Sequence, residues 1–529
     1  MIVWIWAFVL IAVVALYLRR VYSRFSRAGV NTLPVLPPLG NIWKATLRIS
    51  HFADIMEELY KAFPDDRFVG QFEFVNPLVV IRDIDLIKKI AVKDYESFLD
   101  HRFNVNAEID PLFGNNLFAM KGQKWRDMRS TLSPAFTSSK IRLMVPFMVE
   151  VGDQMIACLK SKMKLKGTDN LDIDMKDLTT RYANDVIATC AFGIKVDSMS
   201  EENNDFYRMG KMASTFTFAQ LLKFFGYSSM PTVMNKLKIT MFDENIKKFF
   251  TNLVMGNMQN REENHIVRHD MIQLLMEAKK GNLSYDNKTN DEDAGFATVE
   301  ESDVGKKTIK RVWSDEELIA QAVVFFLAGF DGVATVTTFL LYELALNPDC
   351  QDKLVKEIEE TEKKHGGFDY NSVQQMKYLD MVVSEVLRKW PAAIIADRVA
   401  MKPYNLGRPN KNATEDFIIQ KGEGVLIPVW PIHHDAKYFP NPNKFDPERF
   451  SDENKHNIKP FTYMPFGSGP RNCIGSRFAL CEVKVMVYQL IQHMEILPCK
   501  KSCIPAVLDK STFNLRLQSG HWLKVKART

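Results

Sequence analysis

The chain has 529 residues, of which 46% are hydrophobic and 25% charged, the composition of a globular protein with material for a large core. Lys and Arg total 69 against 64 for Asp and Glu, and a net charge of +5 excludes the strongly basic surface of a nucleic-acid binder, leaving room only for a basic patch that faces an anionic membrane or an acidic partner. Seven cysteines at no framework spacing exclude a disulfide-stapled fold and fit a reducing compartment; Cys499 and Cys503 lie close in sequence but have no companion ligands for a metal.

Met1 to Leu18 reads MIVWIWAFVLIAVVALYL, with no charge, and Arg19, Arg20, Arg24 and Arg27 follow at once. The run is near the lower limit for a membrane-spanning helix, and the positive-inside rule places the arginines and all that follows in the cytosol. No basic stretch precedes the run and no small-x-small cleavage site follows it, so a retained anchor is favoured over a cleaved signal. The sequence divides into an anchor over residues 1–20, a basic and proline-rich linker over 21–41, and one body over 42–529. Leu33 to Gly40, with three prolines, should be stiff enough to hold the body at a fixed angle to the bilayer. A cytosolic body leaves the sequons at Asn282, Asn287 and Asn412 unglycosylated.

Phe68 to Phe74 and Leu78 to Arg82 read as a hairpin across Asn76-Pro77, and Asp83 as the cap of a helix. From Lys140 to Met258 the apolar spacing is mostly helical. The stretch from Leu221 to Phe250 is rich in Phe and Met, which suits either helix core or a flexible surface for substrate access or membrane contact. Gly281 to Lys310 is polar, acidic and without periodicity, and predicts a mobile surface loop. Ser314-Asp315-Glu316-Glu317 is a capping box. It opens an apolar run to Asn347-Pro348, a helix roughly 45–50 Å long that should cross the middle of the body. Strands are predicted at Phe417–Gln420, Val425–Val429 and Phe513–Leu517, so the body is mainly α with small sheets.

The richest local signal is Pro465-Phe466-Gly467-Ser468-Gly469-Pro470-Arg471-Asn472-Cys473-Ile474-Gly475. A lone cysteine is ordinarily a small buried hydrophobe. Here Gly469 and Gly475 bracket it and allow a sharp turn close to a flat partner. Arg471 suits a carboxylate, N–H groups at the start of the next helix can face the sulfur, and Phe466 can shut out solvent. A single thiolate, with carboxylates to be held and a dry flat pocket, points to haem.

The spacing Phe-x-x-Gly-x-Arg-x-Cys-x-Gly resembles the haem-ligand signature of the cytochrome P-450 superfamily, the haem-thiolate monooxygenases. The resemblance implies haem b with Cys473 as axial ligand, in one mainly α haem-thiolate monooxygenase fold with small sheets behind a single transmembrane helix. Glu385 and Arg388, three residues apart on one helix face, together with Arg449 in Phe445 to Phe450, match the family's Glu-x-x-Arg helix and later arginine, which implies a buried network beneath the ligand loop. Trp125 and Arg129, then Arg398 and Arg471, match the family's contacts to the haem propionates, and His101 and Arg102 lie near that set. His433-His434-Asp435 resembles a structural loop of the family, since adjacent histidines point apart and do not chelate one metal.

The long helix carries Ala328-Gly329-Phe330-Asp331-Gly332-Val333-Ala334-Thr335. Ala328 and Gly329 are small enough for a flat ring or O2 to approach, and Asp331 can relay protons. The family places Thr after this acid; here Gly332 stands there, and Thr335 is not equivalent. The anchor resembles that of microsomal members on the endoplasmic reticulum. Pro111 to Gly114 and Trp125 to Phe136 resemble an insect branch whose members oxidise plant toxins and insecticides.

The implied activity is insertion of one oxygen atom of O2 into a lipophilic small molecule of xenobiotic type, in a pocket lined by Phe326, Phe330, Ile394 and Phe513. Electrons would come from NADPH through a separate flavoprotein reductase, with cytochrome b5 as a possible second donor, since no Gly-x-Gly-x-x-Gly opens a βαβ unit here. Lys121, Lys124, Arg126, Lys140 and Arg477 could dock that reductase. Two other readings stay open: a haem-thiolate isomerase or peroxygenase, motivated by Gly332, and a non-catalytic haem carrier.

Overall fold

The structure, a computed structural model, describes residues 2–528 except 202, 216–217, 281–294, 308–310 and 367. Helix α1 (Ile2–Tyr22) has no buried residue. The chain then packs at once. Phe25 is fully buried, with its ring 5.0 Å from that of Phe72. The Asn41 side chain accepts from the Phe72 N–H at 2.6 Å and donates to the Leu33 carbonyl at 2.8 Å. Residues 25–41 are thus bound to a sheet and do not form a free tether.

That sheet begins with β1 (Phe68–Glu73) and β2 (Asn76–Ile81), an antiparallel hairpin in which Phe68 faces Ile81 and Glu73 faces Asn76. Asp83 then caps a short helix by accepting from the N–H groups of Asp85 and Leu86. Helices follow in series: α2 (Gly122–Leu132), α3 (Val145–Lys166), α4 (Met175–Cys190), α5 (Asp205–Ser214) and α6 (Glu244–Glu263), with β3 (Asn170–Asp174) between α3 and α4. In the Phe- and Met-rich stretch the side chains divide. Phe225, Met241 and Phe250 are buried, whereas Leu222, Met230, Val233 and Leu237 are exposed.

The central helix is two helices joined by a wide turn. The capping box forms: Ser314 Oγ accepts from the Glu317 N–H, and the Glu317 carboxylate from the Ser314 N–H. It opens α7 (Asp315–Leu327). Residues Ala328–Val333 then adopt the wider i to i+5 spacing before α8 (Ala334–Leu346) resumes. Local widening of this kind is frequent at functional sites. Nearly all of α8 is buried, including Thr337, Thr338 and Glu343, as befits a helix through the core. Both α1 and this helix are long and apolar enough to cross a membrane, but the central one is buried within the protein.

The C-terminal third supplies α9 (Pro348–His365), α10 (Lys377–Lys389), β4 (Ala396–Val399), β5 (Gly424–Ile427), α11 (Ser476–His493), β6 (Met494–Leu497) and β7 (Trp522–Ala527). The first sheet has the order β1-β2-β5-β4, with β2 and β5 parallel and the other pairs antiparallel. The second has the order β3-β7-β6. The Phe513–Leu517 strand does not form; there Leu517 makes only a single bridge to Leu508, and the strand lies later, at β7. The alternation Trp-Leu-Lys-Val-Lys-Ala fits a half-buried strand better. Of the loop predicted over 281–310, residues 281–294 and 308–310 lie outside the described residues, as do Asn282 and Asn287; within residues 295–307, Ala297, Val304 and Gly305 are buried.

Beneath the ligand loop, Arg388 Nε and Nη2 donate to the two Glu385 carboxylate oxygens at 2.7 and 2.8 Å, with both side chains fully buried. Arg388 also donates to the carbonyls of His433 and Pro442. The Asp446 N–H donates to Glu385 at 3.0 Å, and Arg449 Nε approaches the same carboxylate at 3.5 Å. His433 takes no metal role: its Nε2 accepts from the Met464 N–H at 2.9 Å, and burial pushes its pKa down to about 3. The network ties α10 to the segments that lead into the ligand loop. Glu385→Ala should leave Arg388 charged and unpaired and destabilise the protein by about 3–5 kcal/mol, seen as an earlier denaturant midpoint and loss of bound haem on purification.

Candidate haem site

The ligand loop is fixed on all sides. The Cys473 N–H donates to the Phe466 carbonyl at 2.9 Å, and Asn472 N–H to Gly469 at 2.9 Å. Gly467 and Gly469 take left-handed conformations, with φ of +76° and +73°. Gly469 has a second constraint: a Cβ there would lie 1.9 Å from the Ala91 carbonyl oxygen. Gly475, expected to allow a sharp turn, has ordinary φ of −94° and serves as the N-cap of α11. Phe136 lies 3.6 Å from where its Cβ would stand and packs edge-on against Phe325 of α7 at 5.1 Å, linking the loop to the central helix. Phe466 is half-buried against the core.

Cys473 is exposed even though the loop lies deep in the protein, so its thiol opens onto an interior space. Burial raises the thiol pKa; the Gly475 N–H and the Arg129 charge pull the other way. Along α7 and the wide turn, past the open first turn, Val324, Leu327, Ala328, Asp331 and Gly332 are also open, with Gly329 half-buried beside them. Their spacing of three and four residues puts them on one helix face. Ala392 and Ala393, between α10 and β4, are exposed as well. A thiol and a stripe of small or apolar groups, both open inside the fold, fit a flat macrocycle.

The arginines differ in what they have left to offer. A guanidinium carries five N–H donors. Arg129 commits four, through Glu301 at 3.1 and 2.7 Å and through the Asn472 carbonyl and side-chain oxygens at 2.7 Å each. Arg471 commits four to the carbonyls of Leu99, Leu117 and Met120 and to Asp100, and stacks 3.9 Å over the Trp125 ring. Arg398 donates only to the carbonyls of Asp397 and Ser468, is 3% exposed, and retains three donors for a carboxylate. His101 sits beside it, bound to Asp397 at 2.8 Å, whereas Arg102 is taken by Glu73 at 2.7 Å. The donor set fits haem propionates, with Arg398 the best provided.

Several residues chosen from sequence occupy other positions. Phe326 and Phe330 are 0% and 2% exposed. Phe326 sits in an aromatic cluster, 5.3 Å from Phe206 and 5.0 Å from Phe250. They are core, on the opposite face from Ala328. Ile394 is buried too, and its carbonyl accepts from Trp430. Phe513 is partly exposed, 5.0 Å from Phe52 and 6.1 Å from Phe224. Gly329 faces away from the stripe's small residues: a Cβ there would lie 2.9 Å from Ile187 of α4, so its smallness serves helix packing. Large aromatics were chosen over position; counting three and four residues from Ala328 would have found Val324, Asp331 and Gly332.

Asp331 is an ion-paired carboxylate. Lys176 Nζ lies 2.9 Å from Oδ1, Asn514 donates to Oδ2 at 2.8 Å, and Arg516 stands 3.5 Å away. Burial raises its pKa, but Lys176 and Arg516 outweigh that and hold it below the usual carboxylate range. Lys176 also donates to the Thr335 hydroxyl at 2.8 Å, which turns Thr335 toward α4. No sequence signal marked Lys176, Asn514 or Arg516. Beside Asp331, a Cβ on Gly332 would meet nothing within 4 Å.

The cytochrome P450 family model matches residues 32–523. The chain belongs to the cytochrome P450 family. It is 43% identical to cytochrome P450 9e2 of Blattella germanica, over 99% of this chain and 98% of that protein. It is also 43% identical to the probable cytochrome P450 9f2 of Drosophila melanogaster, over 92% of each, and 34% identical to cytochrome P450 6j1 of Blattella germanica, over 96% of this chain and 94% of that one. It is therefore a haem monooxygenase of the oxidoreductase class, resembling insect members of the family.

Gly469→Ala should strain the loop by about 1–3 kcal/mol from backbone conformation alone, before the contact with Ala91 is counted. The expected result is a lower haem-to-protein ratio after purification, with secondary structure by circular dichroism unchanged.

Proposed function

We propose that this cytochrome P450 ligates haem through Cys473 and inserts one oxygen atom of O2 into a lipophilic small molecule of xenobiotic type. The observation that carries the reading is the Cys473 thiol open inside the fold, with an open stripe of Val324, Leu327, Ala328 and Gly332 on the central helix. Haem, when bound, supplies O2 binding and activation. The chain's own part is to hold the thiolate, keep water out with apolar walls and manage protons near Asp331.

Electrons are expected from NADPH through a separate flavoprotein reductase, with cytochrome b5 as a second donor. The basic residues expected to dock them are partly spoken for: Lys124 pairs with Glu317 at 2.7 Å and Arg126 with Glu96 at 3.4 Å, while Arg477 is buried. Lys121 and Lys140 are half-buried. The unburied α1 followed by arginines supports anchoring in the endoplasmic reticulum membrane with the body in the cytosol. Residues 1–20 are proposed as anchor, 21–41 as linker and 42–529 as the haem-binding body.

Gly332 favours a second reading, a haem-thiolate isomerase or peroxygenase, because no hydroxyl stands where the family's threonine holds a proton-delivering water. The first reading predicts that reduced, carbon-monoxide-treated protein shows the thiolate-type Soret band, lost in Cys473→Ala, and that neutral lipophiles shift the ferric spectrum and stimulate NADPH use in membranes with reductase. An imidazole-type band in folded protein would sink the ligand assignment. A thiolate band without substrate-stimulated NADPH use would favour the second reading.

The proton route gives a separate test. Gly332→Thr enters open space and should raise product per NADPH and lower hydrogen peroxide. Asp331→Asn removes the counter-charge of Lys176 and should slow turnover by about 10²–10⁴-fold with the carbon-monoxide spectrum kept. Tight coupling in wild type on a substrate without hydroxyls, with normal turnover of Asp331→Asn, would show that protons take another path.

A further inference from the structure

Residues 295–307 form a strap over the back of the ligand loop. Ala297 and Val304 are 3% and 6% exposed. The Phe296 ring packs 5.1 Å from Phe450 and 5.5 Å from Tyr463, and its N–H donates to Asp380 at 2.9 Å. At the other end the Ser130 hydroxyl donates to the Lys307 carbonyl. Between them lies Glu301. Its carboxylate makes a two-pronged pair with Arg129, and the two side chains are 8% and 3% exposed. Gly305 closes over it: a Cβ there would fall 2.4 Å from the Glu301 carboxyl and 2.5 Å from Ser133.

The contacts form a closed ring. Glu301 holds Arg129; Arg129 donates to both the carbonyl and side-chain oxygens of Asn472; Asn472 Nδ2 donates to the Glu300 carbonyl at 2.9 Å. Asn472 immediately precedes Cys473. The Glu301 carboxylate, paired with this buried arginine two contacts from the ligand, also places an acidic group behind the loop.

We propose that Glu301 is a positioning residue for the Cys473 ligand, fixing the ligand loop through Arg129 and Asn472 and balancing the arginine's charge behind it. This rests on Cys473 being the haem ligand. Reduction of the iron adds negative charge, so removing a nearby negative charge makes it easier. Glu301→Gln keeps the shape and loses the charge. It should shift the ferric–ferrous midpoint potential to more positive values and, with the pair weakened, speed conversion of the carbon-monoxide complex from the thiolate-type to the thiol-type band several-fold.

Glu301→Asp keeps the charge and should keep the wild-type potential. Phe296→Ala loosens the strap without touching Arg129; it should lower the melting temperature and leave the potential where it was. Wild-type potential and conversion rate in Glu301→Gln would overturn the proposal. So would an equal shift in Phe296→Ala, which would assign the effect to packing of the strap as a whole. If Glu301→Gln does not fold, Glu301→Asp and Gly305→Ala decide it: crowding the carboxyl in Gly305→Ala must speed the conversion, and a wild-type rate overturns the proposal. A thiolate-type band that persists in Cys473→Ala would instead refute the ligand assignment beneath it.

Discussion

A thiol that faces the inside of a protein must be held from behind, because nothing in front of it is part of the chain. Here the fully buried Glu385–Arg388 pair does much of that holding. The arginine spends its remaining donors on carbonyls at 433 and 442, and His433 passes the restraint to Met464, at the start of the ligand loop. Such a pair contributes little net stability relative to an apolar substitute. Its value lies in direction: each donor fixes one backbone segment relative to α10, which hydrophobic packing, being non-directional, would not.

The central helix works by the opposite logic, through what it omits. Its outer faces are filled by Phe326, Phe330 and Ile187, and its inner face is stripped to Ala328 and Gly332. The wide turn at Ala328–Val333 places Asp331 on the boundary between the two, pinned by Lys176 from α4 and by Asn514 and Arg516 from the C-terminal segment. Three parts of the chain far apart in sequence converge on one carboxylate. The polar end of the site is therefore assembled only when the whole body has folded.

What could be read from sequence follows from how local each signal is. Cys473 and its glycines, the Glu385–Arg388 spacing, the Ser314 capping box and the Asn76 hairpin are encoded within a few residues, and each appears at its place. The last strand was misplaced because the stretch from Phe513 and the stretch from Trp522 both alternate, and only pairing with β3 and β6 chooses between them. Phe326 and Phe330 turned out to be core because size is a poor guide to direction on a helix. Lys176, Arg516 and Glu301 left no trace, since a charge becomes meaningful only once the fold supplies its partner across more than a hundred residues. The segment around Glu301 was read as mobile from its composition, yet its few apolar residues, Phe296, Ala297 and Val304, dock it firmly.

The packing of Phe25 into the sheet bears on how the protein can be made. A Cβ on Gly70 would fall 2.4 Å from the Phe25 ring, and Arg24 pairs with Glu423 at 3.1 Å. Tyr22 belongs with them, its ring 5.0 Å from Phe72 and its hydroxyl donating to the Phe74 carbonyl at 3.1 Å, so the seam between what can be cut away and what must be kept falls ahead of Val21. A soluble version that begins ahead of that seam keeps the sheet sealed; one that begins at 42 uncovers Phe68 and Phe72 and invites aggregation. The same seam would pass any pull on α1 to the strands β1 and β2 with no slack between.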